Sequence, residues 1–366
     1  MKSFRVKVLA IVIVSFTVIG CEGIKPSPDY MILDKIEYIK GFPKQFDVDH
    51  GEQIDLDIIG IGSLSIKDTL LIVSTSNKDG FWAIFSLPEY KPLGKYLTKG
   101  NGPNELLSEP RMNEVNYFEF NGELFALLYD FYSGKSYDMN ITKTLSYGRL
   151  IMNSTDYELP SYLFRLTRLN DSLLLCKEPS VSYTQQIRYI QSNGQRRSSE
   201  NLKKLNLSSS QKNGGLNVLD TYTKCSRDGN LIVEAAMDLN QINLYSVDDS
   251  FGKTICVGAK VDNISTIQNV ERRNKVVTYK HLATYSDFFG ALYINDTQEN
   301  IYEERSKMNV IQFFSWNGNP LAEIKLERMI NSFDIDFLHG CLYTLSYETE
   351  EVYKHDISKI LQYMSL

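Results

Sequence analysis

The chain has little of what catalytic and metal-binding sequences usually carry. Its four histidines lie far apart among 366 residues, and its five cysteines form no CxxC pair. Zinc draws its ligands from closely spaced Cys and His, so spacing supports no metal site. No GxxxxGK[ST], HExxH or GxSxG pattern occurs. A phosphate loop, a zincin and a nucleophile elbow therefore go unsupported, which leaves only groups that meet from distant segments. Positive charge is also short, at 39 Lys and Arg against 45 Asp and Glu. An acidic body is a poor partner for nucleic acid. Apolar runs of membrane-spanning length are absent: the longest, Val8–Gly20, is about two thirds of the roughly twenty residues a span needs.

What is present begins at the N-terminus. Lys2, Arg5 and Lys7 precede that apolar run, which ends in "VIGC" with Gly20 before Cys21. A charged start, a short apolar core and a small residue before cysteine resemble a bacterial lipobox. Residues 1–20 are read as a lipoprotein signal peptide, residues 21–33 as the lipidated Cys21 with a polar spacer, and 34–366 as the folded domain. An ordinary signal peptide with an incidental cysteine is the alternative. Acyl chains on Cys21 would tether the protein to a membrane, each buried methylene contributing about 0.8 kcal/mol. Loss of Lys2, Arg5 and Lys7 with no acidic residue takes the formal charge from −6 to −9. The expected location is the cell envelope, most simply the outer membrane of a Gram-negative bacterium. The stretch Glu22–Asp29 carries no acidic run that would argue for surface display, and the leaflet is left open.

Beyond residue 30 a phrase recurs: "DTLLIV" from Asp68, "GELFAL" from Gly122, "DSLLLC" from Asp171, "GNLIVE" from Gly229, "GALYIN" from Gly290 and "GCLYTL" from Gly340. Aligned on Leu70, Leu124, Leu173, Leu231, Leu292 and Leu342, the spacings are 54, 49, 58, 61 and 50 residues. Each phrase is a turn followed by an apolar strand, and a second strand such as "FWAIFSL" or "VIQFFSW" follows. Six such units predict an all-β, six-bladed β-propeller of four-stranded antiparallel blades. The last unit leaves little chain for its outermost strand. The stretch "KIEYIKGF", Lys35–Phe42, is expected to supply it, so that an N-terminal strand closes the ring. Ser198–Asn217, Lys260–Lys280 and Asp296–Asn309 are read as loops hung on this body.

The fold constrains the thiols. Cys225 and Cys256 fall on the first and fourth strands of one unit, about 14 Å apart at ordinary strand spacing. A disulfide reaches about 7 Å between Cα atoms, and Cys176 and Cys341 fall in units on opposite sides of the ring. All four are expected as reduced, packed thiols.

The stretch "LTKGNGPNELLSEP", Leu97–Pro110, reads as a blade-to-blade connection. Gly100 and Gly102 are free to take positive φ, and Asn104 is placed to cap a short turn through Glu105 and Leu106. Its Gly-x-Gly-Pro-Asn-Glu core resembles the first blade connection of TolB-like six-bladed propeller lipoproteins. The hairpin "IQFFSWNGNPLAEIKLE", Ile311–Glu327, is similar to that family's penultimate blade. The resemblance covers nearly the whole chain after the signal peptide. It implies no common enzymatic activity, so it carries over no catalytic, cofactor-binding or metal residue, and Cys21 is the one site residue assigned.

Candidates for chemistry exist by abundance. Asp68, Asp130, Asp228, Asp287, Asp334 and Asp336 lie near strands or turns, where aspartate ordinarily bonds its own backbone. Tyr129, Phe131, Tyr132 and Tyr137 could stack on a sugar or a partner, although packing between blades accounts for them. Arg196–Arg197 and Arg272–Arg273 read as solvated loop pairs, with an acidic ligand as the alternative. "DTL" at Asp68 and "DSL" at Asp171 resemble an O-glycosylation sequon, and turn chemistry serves equally. The expected function is a non-enzymatic envelope scaffold that binds protein or glycan, without cofactor. The alternative is a metal-dependent hydrolase or lactonase using the central channel, which requires at least three inward oxygen ligands.

Overall fold

A computed structural model describes residues 23–211, 215–303 and 309–364. The segment read as a signal peptide, and Cys21, therefore lie outside the described residues.

The recurring phrase is the second strand of each blade: Leu70–Thr75, Glu123–Asp130, Leu174–Pro179, Leu231–Ala236, Phe288–Thr297 and Cys341–Ser346. These strands read as near-continuous apolar runs because both of their faces are buried. In the first blade Leu71 and Val73 pack toward blade six, while Ile72, on the other face, packs toward blade two. One hydrophobic cluster fills each of the six interfaces between neighbouring blades. The sequence repeat is thus a repeat of burial. The first strands, which line the centre, are Ile61–Lys67, Asn116–Phe120, Arg165–Arg168, Thr221–Cys225, Val276–Thr284 and Ile330–Asp336.

The ring is closed by an N-terminal strand, but it is not Lys35–Phe42. Glu52–Ile54 pairs antiparallel with Val352–Asp356 and completes blade six. Ile36–Ile39 runs parallel to Gly252–Val257 as a fifth strand on blade four, and Gln45–Asp47 does the same on blade five beside Pro320–Lys325. The N-terminal chain therefore covers two successive outer edges, of blades four and five, before it closes blade six. Composition suggested a spacer up to residue 33, yet Met31, Ile32 and Leu33 are fully buried. Ile24 and Tyr30 pack with Ile32 against Cys256 and Val261, so apolar burial fixes this stretch to blade four.

The three long insertions are not plain loops. Each carries a short helix, Glu200–Asn206, Ile264–Gln268 or Gln298–Tyr302, and each helix starts at a side-chain cap. Ser199, Asn263 and Thr297 accept from the backbone N–H three residues on. Cys176, Cys225, Cys256 and Cys341 are all free thiols, as the blade geometry required.

The glycine stretch joins blade one to blade two as expected, and its chemistry differs from expectation. Thr98–Lys99 and Glu105–Leu106 form a two-residue parallel ladder in place of a capped turn. Neither Gly100 nor Gly102 takes positive φ. The Glu105 carboxylate accepts from Gly102 N–H at 2.7 Å and lies against both glycines, so a Cβ at either position would meet it. Close approach, not backbone freedom, selects glycine here.

Candidate functional site

Because strands alternate in direction, the turns between first and second strands gather at one end of the ring. The second-to-third turns and the blade-to-blade connections gather at the other, here termed the connection face. The first end opens into a funnel of about 980 Å³, lined from all six blades. Its rim is acidic: Asp68, Asp171, Asp228 and Asp287 stand on four of the turns. Phe337 and Leu338 project beside them, 52% and 70% exposed.

The wall is built by first-strand residues. Lys67 lies 3.5 Å from the Asp334 carboxylate and 4.9 Å from the centre of the Tyr117 ring. Asp334 also accepts from Ile66 N–H at 2.8 Å and Ser65 Oγ at 3.2 Å, which fixes its carboxylate across the seam of blades one and six. Lys224 donates to the Val115 carbonyl at 2.9 Å. Burial pushes its ammonium down to about 8, and the Lys67 charge adds to that. His281 packs edge-on to Phe333 at 5.0 Å, and burial drives its imidazole down to about 4. It is neutral at physiological pH.

Three groups here have no protein partner. His281 Nδ1 is buried and unbonded, and so are the hydroxyls of Tyr117 and Tyr285. The two tyrosine oxygens lie near Ser65 and Asp334 without reaching hydrogen-bond geometry. Buried polar groups are ordinarily paired, with protein or with water. These three atoms lie behind the cavity surface, shielded from solvent, so what the funnel presents to an entering group is Lys67 and the acidic turns.

Of the aspartates singled out by sequence, Asp68, Asp228, Asp287 and Asp334 meet in this funnel. Asp130 lies at the other end, where it accepts from Leu107 N–H, Ser108, Tyr132 N–H and Ser133. Asp336 is spent on the turn, accepting from His339 N–H at 3.1 Å and facing its ring nitrogen at 2.6 Å. Asp171 pairs with Arg168 at 2.6 Å. Among the described residues no group of three His, Cys, Asp or Glu is placed to hold a metal ion, so the oxygen-ligand cluster required by the hydrolase alternative is not assembled there. Sequence reasoning missed Lys67, Tyr117, Lys224, His281 and Tyr285. The available signal was position: each lies on, or one residue beyond, the strand just before a repeated phrase.

A second, smaller cleft of about 310 Å³ opens at the connection face between blades two and three. Tyr129, Phe131 and Tyr132 border it. Tyr129 is used structurally, donating to Pro160 O at 2.6 Å and accepting from Leu163 N–H. Phe131 and Tyr132 meet edge-to-face with Tyr162 at 5.2 to 6.4 Å. Tyr137 is packed in the interface with blade one.

The family described as TolB-like 6-blade propeller-like matches residues 63–337. No curated protein matches the chain. Among solved structures, the β-propeller domain of Myceliophteria thermophila Cps50 (Swd1) is 11% identical, with 85% of this chain and 99% of that chain covered and a TM-score of 0.43. The WD40 repeats of RRP9 are 8% identical over 81% of this chain and 94% of that one, with a TM-score of 0.44.

Proposed function

We propose, from the premise that the chain belongs to the TolB-like six-blade propeller family, that it is a non-enzymatic envelope lipoprotein whose funnel receives a protein partner. The observation that carries this reading is the open funnel of about 980 Å³, lined from all six blades, with Lys67 partly exposed on its wall. The acidic turns with Phe337 and Leu338 beside them give the rim the mixture of charge and apolar contact that protein interfaces use. The wall, with Lys67 beside the Asp334 carboxylate and Lys224 held by one carbonyl, suits an acidic or carbonyl group at the tip of whatever enters. Lipid on Cys21 holds the ring at a membrane, most simply the outer membrane of a Gram-negative cell. A glycan is the second reading, favoured by the Phe131–Tyr132–Tyr162 cluster at the smaller cleft.

Crosslinking and affinity capture from native membranes, with the lipidated protein and a Cys21→Ala control, test this reading. One stoichiometric envelope partner, lost with the control, is the expected outcome. Absence of any partner under several crosslinking chemistries contradicts it.

A further inference from the structure

We infer that the connection face of the ring lies against a phospholipid surface, so that the funnel opens away from the membrane; this rests on the anchoring through Cys21 proposed above. The path of the chain comes first. The described residues begin at Gly23, two positions after Cys21. Two residues reach at most about 7 Å. Ile24 is already packed with Cys256 and Val261, where the last strand of blade four passes into its connection. Pro28 O accepts from Ser209 N–H and Asp29 O from Ile264 N–H, each at 2.9 Å. The anchor therefore joins a stretch stitched to the connections on both sides of blade four. It leaves the ring at the end opposite the funnel, with almost no slack.

The second observation is independent of the anchor. The same face exposes apolar and aromatic side chains that water does not reward. Val181 is 100% exposed at the second-to-third turn of blade three, and Tyr183 stands in the same turn. Thr184 O accepts from Ser210 N–H at 2.7 Å, which ties this turn to the segment that holds Pro28. Leu207, two residues before Ser209, is exposed on this face, as are Tyr162 and Tyr132 at blade two. Tyr183 and Tyr162 both hold left-handed backbone, at φ 53° and 66°, an unusual conformation for a bulky residue whose ring is then left in solvent. Tyrosine is a residue of membrane–water interfaces, with an apolar ring and a wet hydroxyl.

Acids stand on the connection face too, Asp55, Asp57, Glu271, Glu348 and Glu350 among them, but basic residues gather near the anchor. Lys260, Arg272 and Arg273 are exposed in the connection after blade four, near the anchor, where lipid phosphates attract them. Anchor and apolar patch thus select one orientation.

The test uses the full lipidated chain in vesicles of phosphatidylethanolamine and phosphatidylglycerol, spin-labelled at Val181→Cys or at Leu338→Cys. Cys176, Cys256 and Cys341 are buried, and burial pushes the Cys225 thiol up to about 11, so the introduced cysteine is the reactive one. Oxygen accessibility relative to a water-soluble nickel reagent should rise several-fold at position 181 on membrane binding and stay unchanged at 338. Equal values at both positions, or immersion of 338 alone, overturn the inference. Intact mass reads acylation separately. If the chain proves unacylated, the anchoring reading fails. The face is then tested by pelleting that protein with the same vesicles. Pelleting that falls several-fold with Val181→Asp and Tyr183→Asp supports it, and protein left in the supernatant overturns it.

Discussion

Between blades three and four, Glu234 accepts from Lys177 at 2.6 Å, from Arg188 at 2.9 Å and from the Tyr245 hydroxyl at 2.6 Å, with all four side chains buried. In the funnel, Lys224 has a single carbonyl, while His281 Nδ1 and the Tyr285 hydroxyl make no bond of good geometry. The residue types are alike and the treatment is opposite. Burial alone would raise the Glu234 carboxyl, and Arg188 followed by Lys177 more than reverses this, holding it ionised far below the usual carboxylate range. A saturated network of this kind ties two blades together and offers nothing to a ligand. The funnel wall spends Asp334 on the seam of blades one and six, and leaves His281 Nδ1 and the Tyr117 and Tyr285 hydroxyls without a bond of good geometry.

The largest expected effect breaks the saturated side. Glu234→Ala strands two buried cations and should cost about 3–5 kcal/mol in chemical denaturation. Lys224→Met, which removes a half-satisfied cation, should change stability by less than about 1 kcal/mol while abolishing partner capture. Equal destabilisation by the two variants would erase the distinction.

The pH dependence sharpens it from the funnel side. Burial lowers the His281 imidazole from 6.5 to about 4. Between those values the unfolded chain binds a proton that the folded chain does not, so stability falls as pH drops through that window. At about 1.4 kcal/mol per unit the loss reaches roughly 3 kcal/mol, and His281→Leu should flatten the curve there. A variant whose stability tracks the parent's from pH 4 to 6.5 would place the titration elsewhere.

The finest comparison is between two hydroxyls. Tyr245→Phe removes a bond to a buried carboxylate and should cost roughly 2 kcal/mol. Tyr285→Phe removes an oxygen with no partner and should be neutral within about 0.5 kcal/mol. Thermal denaturation of the pair checks both values. A costly Tyr285→Phe would mean that its hydroxyl is already used by the fold.

The blades were legible because each second strand is buried on both faces, so "DTLLIV" and its relatives carry the pattern in six consecutive residues. The closing strand was not, because Glu52–Ile54 is three residues long and carries one buried side chain, Ile54. The apolar alternation of "KIEYIKGF" is real, and it belongs to an added parallel edge on blade four. The glycines of "KGNGPNE" were rightly read as structural, although the carboxylate of Glu105 that explains them lies in no pattern of spacing. The funnel was illegible for a related reason. Lys67, Tyr117, Lys224, His281 and Asp334 come from five first strands and converge only when the ring closes.

The most direct test of the funnel as a receptor is site-specific photo-crosslinking on intact membranes, with a benzophenone side chain at Leu338 on the rim or at Tyr147 on the outer edge, both exposed. The expected result is a single adduct from position 338, lost when Lys224→Met is added, and none from position 147. Equal adducts from both positions, or an adduct at 338 indifferent to Lys224→Met, would contradict a partner seated in the funnel.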